Sequence, residues 1–412
     1  MIAHFKKSFA IAALVTGIVS SPLVAEVIAI TGGTVHTLGA AGTLEKGTVI
    51  IRDGRIEAVG TNVPIPKGAA VIDATGQVVA PGLMHGASKL GLSEVSAAKS
   101  TNAHSAKESP YGAGFDVAYG LNYRSVVIAD NRRRGVTHAI TMPSNADGIF
   151  HGSSAFIELN SAPNMMIAKG PMLADIKDGG NRSVAWAQLR QILDEVKDYK
   201  RNRSNVLKGK GRTDYQMPLH DMEALILVVE GKQILALQLG GEVDIRKAIQ
   251  LKADYDLKLV LIGASEAWRV ASELAAADIA VVINAQDNRP TAFDEVWSSR
   301  SNAVKLKAAG VKFAIADAGG NHNASNIRQH AAIAVAHGLP WESAMQAITT
   351  APAQIFGLKG YGTLERGMKA NIAVWDGDPL QVTSNTTHVI VEGKEMPLVS
   401  RRTMLRDKYL NK

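Results

Sequence analysis

Short runs that alternate between apolar and polar positions predict β-strands near both ends of the chain. Near the N-terminus the predicted strands are Val27–Thr31, Gly33–His36, Gly47–Arg52, Arg55–Val59, Ala70–Asp73 and Gln77–Val79. Near the C-terminus, Ile372–Trp375 and His388–Val391 have the same pattern. Asp53-Gly54 and Glu392-Gly393 suit two-residue hairpin turns. We therefore expect one small β domain assembled from both chain ends.

The middle of the chain instead alternates continuous apolar runs with helical patterns. The apolar runs predict buried parallel strands at Val136–Thr141, Ser154–Glu158, Ile234–Leu239, Leu257–Ile262, Ile279–Ile283 and Val311–Ala316. The helical patterns are Ser183–Lys200, Asp244–Ala253, Glu266–Ala276, Ala303–Ala309 and Ala324–His337. This order is typical of a parallel α/β domain, either open or closed into a barrel. Periodicity does not decide between the two closures.

Two polar segments between these elements are candidates for active-site loops. Ser93–Gly120 is rich in Gly, Ser and Ala and has no clear period, so we expect a lid after the first core strand. Asn284–Ser299 is a second loop that we expect to contribute to a pocket.

Composition narrows the class of protein without identifying it. Gly is frequent at 38 residues and aromatic residues form 5% of the chain, which suits tight strand–helix turns better than an aromatic binding platform. The formal net charge is +7, and much of the excess lies in Lys197–Arg212 and in the tail from Arg401 to Lys412. No interleaved pattern of aromatic residues and no nucleic-acid motif accompanies these charges, so we expect solvated surfaces and no nucleic-acid partner.

The first 25 residues have the pattern of a signal peptide. Lys6 and Lys7 precede the apolar run Phe9–Val19, and Ala25 offers a small residue for cleavage before Glu26. The run is too short to span a bilayer, which leaves an uncleaved anchor as the less favoured alternative. We therefore expect a periplasmic or secreted protein without a stable membrane span. The chain has no cysteine, which excludes a disulfide, a thiolate metal site and a cysteine nucleophile.

Three motifs carry a family resemblance. Val71–Leu83 (VIDATGQVVAPGL) resembles the first barrel strand of amidohydrolase-superfamily enzymes, especially the imidazolonepropionase-like and dihydroorotase-like branches. Gly362–Trp375 (GTLERGMKANIAVW) resembles their return into the small β domain. Thr349–Ala353 with Phe356-Gly357 resembles the helix that closes the barrel. The resemblance covers about residues 27 to 395.

The resemblance implies an architecture and a division of the chain. The expected fold is α/β, a distorted (β/α)8 TIM barrel with a composite β-sandwich. We expect a signal peptide at 1–25, the β-sandwich at 26–80 and 360–400, the barrel at 81–359 and a basic tail at 401–412. The family hydrolyses C–N bonds, other than those of ordinary peptides, with Zn or a similar divalent metal bound where barrel strands end.

The positions where the family holds its metal carry other residue types here. The family's paired histidines on the first strand align with Ala87 and Lys89, and His85 falls where an aspartate is usual. Later histidine positions align with Gln238 and Gly263, whereas Asp317 keeps the expected carboxylate after the eighth strand. The residues at these positions thus predict no bound metal, although the family uses one, and we expect no other cofactor. We expect Asp317 to be the catalytic residue, if there is one, and Lys89 to form an ion pair with it near Gln238.

Further histidines and cations remain candidates for the pocket. His322 follows the eighth strand and His151 precedes a core strand, so both are candidate substrate contacts, as is His85 after a local bulge. His330 and His337 share one helix face, for which a surface or interface role is expected. Lys169 could be a carboxylated lysine. The arginines that could hold a carboxylate are Arg182, Arg289 and Arg328.

Three functions stay open at the level of the sequence. The chain could be a working hydrolase of amide or cyclic-amide bonds with an atypical site. It could be a catalytically silent relative that binds an unidentified small molecule or peptide in the barrel pocket. It could also be a structural partner that forms a homo-oligomer or pairs with an active amidohydrolase. Fold alone does not decide among them.

Overall fold

The structure is a computed structural model that describes residues 27–177, 181–286, 289–290 and 293–410. The predicted signal peptide lies outside these residues. In chain order the strands are β1 (Val27–His36), β2 (Thr43–Arg52), β3 (Arg55–Gly60), β4 (Ala70–Asp73), β5 (Val78–Pro81), β6 (Leu83–Ser88), β7 (Val136–Thr141), β8 (Phe150–Glu158), β9 (Met166–Asp175), β10 (Leu235–Leu239), β11 (Leu259–Gly263), β12 (Ala280–Ile283), β13 (Phe313–Ile315), β14 (Ile372–Trp375), β15 (Thr386–Val391) and β16 (Lys394–Glu395). The α-helices are α1 (Val126–Arg132), α2 (Arg182–Leu207), α3 (Leu219–Val229), α4 (Glu242–Tyr255), α5 (Ala271–Ala276), α6 (Asn302–Ala308), α7 (Ile327–Ala336), α8 (Trp341–Ala347), α9 (Thr350–Ile355) and α10 (Arg401–Leu410).

One sheet is built from strands of both chain ends. Its strand order is β16-β15-β14-β5-β1-β2-β3, and β4 pairs with β1. β5 is the strand that joins the two ends, because it pairs in parallel with β1 and antiparallel with β14. The apolar side chains Ile30, Val49, Ile51, Val79 and Val374 belong to a core of their own beneath this sheet. Burial of these β-branched side chains stabilises a sheet whose strands are far apart in sequence.

The second sheet is the barrel. Its eight strands run in the order β13-β12-β11-β10-β9-β8-β7-β6. An isolated parallel bridge between Ser88 and Gly320 brings the two edge strands together, with the Lys89 amide donating to the Gly320 carbonyl at 2.8 Å. The strands are buried on both faces by helices, as their continuous apolar runs predict. The predicted α/β fold, a distorted TIM barrel with a β domain, is confirmed.

The direction of β8 differs from the prediction. The apolar run Ser154–Glu158 is predicted to be a parallel strand, but β8 pairs antiparallel with β7 and with β9. The connections on either side of it are too short for the crossover of a dozen or more residues that parallel neighbours need. β9 is not among the predicted strands. Its first four residues are exposed or partly exposed, and only the last six are buried.

Two basic segments are more regular than expected. α2 continues to Leu207, so most of Lys197–Arg212 is helix followed by a short turn. The tail forms α10, an exposed helix whose Arg402 contacts Asp130 of α1 at 3.2 Å. A search of residues 27–410, without the few undescribed positions, finds no helix with the length and hydropathy needed to cross a bilayer.

Candidate functional site at the barrel mouth

A buried histidine–aspartate pair lies where β6 and β13 end. His85 Nε2 is 3.0 Å from Asp317 Oδ1. The backbone N–H of Ala87 donates to His85 Nδ1 at 3.2 Å, so Nδ1 is the unprotonated nitrogen and Nε2–H donates to the carboxylate. A register shift between His85 and Ser88 in the pairing of β6 with β7 turns the histidine toward Asp317. The local bulge considered for His85 is therefore present.

The environment of Asp317 favours its ionised form. Burial raises the pKa of this carboxyl, but the hydrogen bond from His85, together with the electrostatic interactions of His85 and of His330 on α7, outweighs burial. The pKa of Asp317 therefore lies below its ordinary value. His330 is buried rather than on the helix surface, contrary to the role expected for it, whereas His337 of the same helix is exposed.

Two consecutive glycines make room for the polar side chains of the mouth. A Cβ atom on Gly320 would lie 2.5 Å from His85 Nε2 and 3.0 Å from Asp317 Oδ1. A Cβ on Gly319 would lie 3.0 Å from Lys89 Cε and 3.3 Å from Lys89 Nζ, and Gly319 also has a φ of +88°. Gly319-Gly320 thus allows the backbone to approach both groups closely.

A cavity of about 230 Å³ opens at the same strand ends, and its wall contains Ala318 and Gly319 next to Asp317 but neither His85 nor Asp317. Lys89, His151 and Gln238, all predicted from the sequence, line it, and Ala87 does as well. A neighbouring cavity of about 170 Å³ shares Gln238 and contains Gly263 in its wall. The residues aligned with the family's ligand positions thus lie at the mouth.

Asp175 is a lining residue that the sequence reasoning missed. It ends β9, and its Oδ1 accepts a hydrogen bond from the Lys177 amide at 2.8 Å. It lies on the strand next to the one that carries His151, and both side chains line the cavity. The signal was an aspartate directly after the apolar Met172–Ala174, which is the position of functional residues at barrel strand ends.

The predicted ion pair between Lys89 and Asp317 is wrong. Asp317 pairs with His85, and Lys89 forms no ion pair among the residues that the structure describes. Burial lowers the pKa of Lys89, with no carboxylate acting against it. The lysine stem lies against Gly319 and its charge acts on His104, whose pKa is lowered by burial and by Lys89. His104 comes from the predicted lid and its Nδ1 lies 2.8 Å from Ser144 Oγ.

The other candidates lie away from this cavity. His322 is exposed in the loop after β13 and does not line the cavity. Lys169 is largely exposed on β9 and pairs with Asp116 at 3.1 Å, so it does not bridge metals. Arg182 pairs with Asp244 at 3.2 Å, and Arg328 donates to the carbonyls of residues 379, 382 and 384. Arg289 is exposed.

The donors at the mouth do not fit the divalent metal that the fold family implies. A Zn site needs three or four neutral imidazoles or carboxylates with free lone pairs. Both nitrogens of His85 are engaged, and the aligned positions offer a methyl group, an ammonium, an amide and a glycine. Across residues 27–177, 181–286, 289–290 and 293–410, no cluster of three or more His, Asp or Glu side chains has the arrangement to hold a metal ion.

Comparison with known proteins finds a family match in the C-terminal third of the chain. Residues 260–397 match the family described as "Amidohydrolase family". A segment of 72 residues, 17% of the chain, is 38% identical to the amidohydrolase tasK of Hapsidospora irregularis. The match spans 7% of that relative's length.

Solved structures share the whole fold. An amidohydrolase from Thermotoga maritima MSB8 superposes with a TM-score of 0.80 at 23% identity, over 91% of this chain and 100% of that one. A β-aspartyl dipeptidase from Fervidobacterium islandicum AW-1 superposes with a TM-score of 0.55 at 15% identity, over 91% and 98% of the two chains. The family match over residues 260–397 confirms the predicted resemblance to amidohydrolases for that part of the chain, and the solved structures confirm the fold.

Proposed function

We propose that this chain is an exported, catalytically silent amidohydrolase relative that binds a small molecule in the barrel mouth without a metal. The observation that carries the proposal is the His85–Asp317 pair. The two side chains are hydrogen-bonded to each other, whereas a metal would need both of them as ligands. The Lys89 ammonium at the same strand end adds a positive charge that a divalent cation would oppose.

A metal-free hydrolase has less support. A general base must present a free lone pair to the proton that it removes. His85 Nδ1 accepts the Ala87 N–H, and Nε2 carries the proton that it donates to Asp317, so neither nitrogen has a free lone pair for this role. Neither His85 nor Asp317 lines the cavity, so the pair is a fixed polar contact beside it.

The export part of the proposal rests on the sequence of the first 25 residues. Lys6, Lys7 and the apolar run Phe9–Val19 support it. The mature protein is expected to begin at Glu26 in N-terminal sequencing of material recovered from outside the cytoplasm. An N-terminus that still contains Phe9–Val19 would contradict cleavage and favour an anchor.

Metal content is the sharpest test of the proposal. Purified wild-type protein, equilibrated with zinc and then freed of excess, is expected to hold far less than one zinc ion per chain by elemental analysis. It is also expected to show no zinc-dependent hydrolysis of N-acetyl amino acids, dipeptides or cyclic imides. One tightly bound zinc ion per chain together with such hydrolysis would contradict the proposal.

A reverse substitution tests whether the residues at the aligned positions are the reason that zinc is not bound. The double variant Ala87→His with Lys89→His would restore a His-x-His pair beside Asp317. We expect this variant to gain zinc, and adding Asp317→Asn to remove it again. A double variant that folds like the wild type and gains no zinc would show that these positions do not form the ancestral site.

A further inference from the structure

Two polar side chains at the mouth have hydrogen-bonding capacity that the described part of the chain leaves unused. Lys89 and Gln238 both line the 230 Å³ cavity. Among the described residues, neither the Lys89 ammonium nor the Gln238 amide has a side-chain hydrogen-bond partner. Polar groups in such a partly closed site usually find a partner, so the ligand is expected to supply it.

The position of Lys89 is fixed by the backbone rather than by a counter-ion. Its Cε and Nζ lie within van der Waals distance of the space that a Cβ on Gly319 would occupy. The Lys89 amide donates to Gly320, and the Gly319 amide donates to Ala87, so both ends of the contact are held by hydrogen bonds of 2.8 Å. The ammonium is therefore held beside the cavity without a neutralising carboxylate.

The charges around the cavity leave that ammonium unmatched. The titratable groups that face it are His104 of the lid, His151 on β8 and Asp175 on β9. Asp175 accepts from the Lys177 amide, and Asp317, which does not line the cavity, is engaged by His85. The Lys89 side of the cavity therefore favours an anionic group.

We propose that Lys89 and Gln238 together bind the carboxylate of a small ligand, with Lys89 pairing with the charge and the Gln238 amide donating a hydrogen bond. This inference rests on the proposed metal-free binding function and names the ligand class for the same cavity. One ammonium balances a monoanion, which favours a carboxylate over a phosphate dianion. The volume lies below the roughly 300–1,000 Å³ of drug-sized pockets, so the ligand is small.

The test compares two probes that differ only in charge. N-acetylglycine carries a carboxylate, and N-acetylglycinamide has a neutral amide in its place. Calorimetric titration of the full mature chain, in the presence of a chelator, is expected to show about tenfold or tighter binding of the acid. Lys89→Met is expected to weaken binding of the acid by about 10- to 100-fold and to leave binding of the neutral probe unchanged.

Three further proteins keep the result specific. Lys359→Met removes the same charge from an exposed turn after α9 and is expected to bind both probes like the wild type. Lys89→Arg is expected to retain most of the preference for the acid. Gln238→Leu is expected to weaken binding of the acid about 2- to 10-fold, since it removes one uncharged hydrogen-bond donor. Thermal unfolding of each variant checks that it is folded.

Several outcomes would overturn the inference, and they can be separated from failure of the proposed function. Equal binding of the acid by wild type and Lys89→Met, absence of acid binding at about 10 mM, or equal binding of inorganic phosphate would each overturn the carboxylate site. If the neutral probe still binds without a metal in these cases, the metal-free pocket stands. The proposed function itself fails only through the stoichiometric zinc and zinc-dependent hydrolysis described above.

Discussion

Buried ionisable groups lie at both ends of the barrel, but the two ends differ in how these groups are hydrogen-bonded. At the end opposite the mouth, Glu158 of β8 accepts hydrogen bonds from Tyr361 at 2.9 Å and from Asn371 at 3.3 Å. Glu392 of the β domain accepts from Asn160 at 3.1 Å, and its own amide donates to Asn371 Oδ1 at 2.7 Å. We call this group of five residues the junction cluster, because it connects β8 to the composite sheet.

The difference lies in how many polar atoms are left for a ligand. In the junction cluster the carboxylates and the Asn371 amide are bonded to each other, which is the pattern of a structural polar network. At the mouth, His85 and Asp317 are bonded to each other, whereas Lys89 and Gln238 face a cavity. Buried polarity alone therefore does not mark a functional site, whereas unused donors beside a cavity do.

The two regions also differ in their response to pH. Burial, then the hydrogen bond and charge of Glu392, raise the pKa of Glu158 to about 7, so the folded cluster keeps one proton that the unfolded chain would release. At the mouth, the pKa of Asp317 is lowered, so the folded state favours the ionised form. The first region is stabilised by low pH and the second by high pH.

The largest expected effect comes from comparing one side-chain truncation in each of the two regions. Asn371→Ala removes the donor to Glu158 and the acceptor for the Glu392 amide, so we expect the free energy of unfolding to fall by about 2–4 kcal/mol. Gln238→Ala at the mouth is the matched control, with an expected loss below about 1 kcal/mol. Denaturant titration measures both, and equal losses would refute the comparison.

A second prediction concerns the space that Gly320 leaves for the His85–Asp317 pair. Gly320→Ala would place a methyl group at 2.5 Å from His85 Nε2, so we expect a loss of about 1–3 kcal/mol through overpacking. Gly86→Ala is the control on β6, because its Cβ would meet its nearest neighbours at 3.7 Å. Thermal unfolding of the two variants compares them, and a Gly320→Ala protein as stable as Gly86→Ala would contradict the close approach.

A third prediction uses the raised pKa of Glu158. Its stabilising contribution is fully present below the unfolded value of 4.5 and is lost as the pH rises through about 7. Glu158→Gln should therefore gain on the order of 1 kcal/mol relative to wild type between about pH 5 and about pH 7.5. The difference between the two proteins is the quantity to measure, since burial lowers the pKa of nearby His138 to about 3 and gives an opposing trend. A constant difference across this range would exclude a shared proton.

The smallest expected effect is the corresponding one at the mouth. The pKa of Asp317 is lowered, so its contribution is present above the unfolded value of 3.8 and is lost as the pH falls. The stability advantage of wild type over Asp317→Asn should shrink by about 0.5 kcal/mol between about pH 6 and about pH 3. Chemical unfolding at several pH values checks this, and an advantage that grows toward low pH would reverse the assignment.

The sequence predicted the fold better than it predicted contacts. Terminal strands and the alternating middle predict the composite sheet and a parallel α/β domain, because apolar period and turn residues act locally. Closure into a barrel was predicted by the family resemblance and not by the pattern. The pairing of Asp317 with His85 rather than Lys89 depends on a bulge between His85 and Ser88, and one residue of slip changes which side chain faces inward. Asp175 was missed because Gly170 and Pro171 interrupt the apolar run of β9, which weakens its strand pattern in the sequence.

The placement of β5 has a consequence for how the chain is made. β5 is synthesised near the N-terminus, yet its second neighbour β14 begins about 290 residues later, at Ile372. Until that segment emerges, one side of β5 is an exposed strand edge that can pair with other chains. We therefore expect the small domain to be the last part of the molecule to become native, and partially synthesised chains to be the most prone to aggregate.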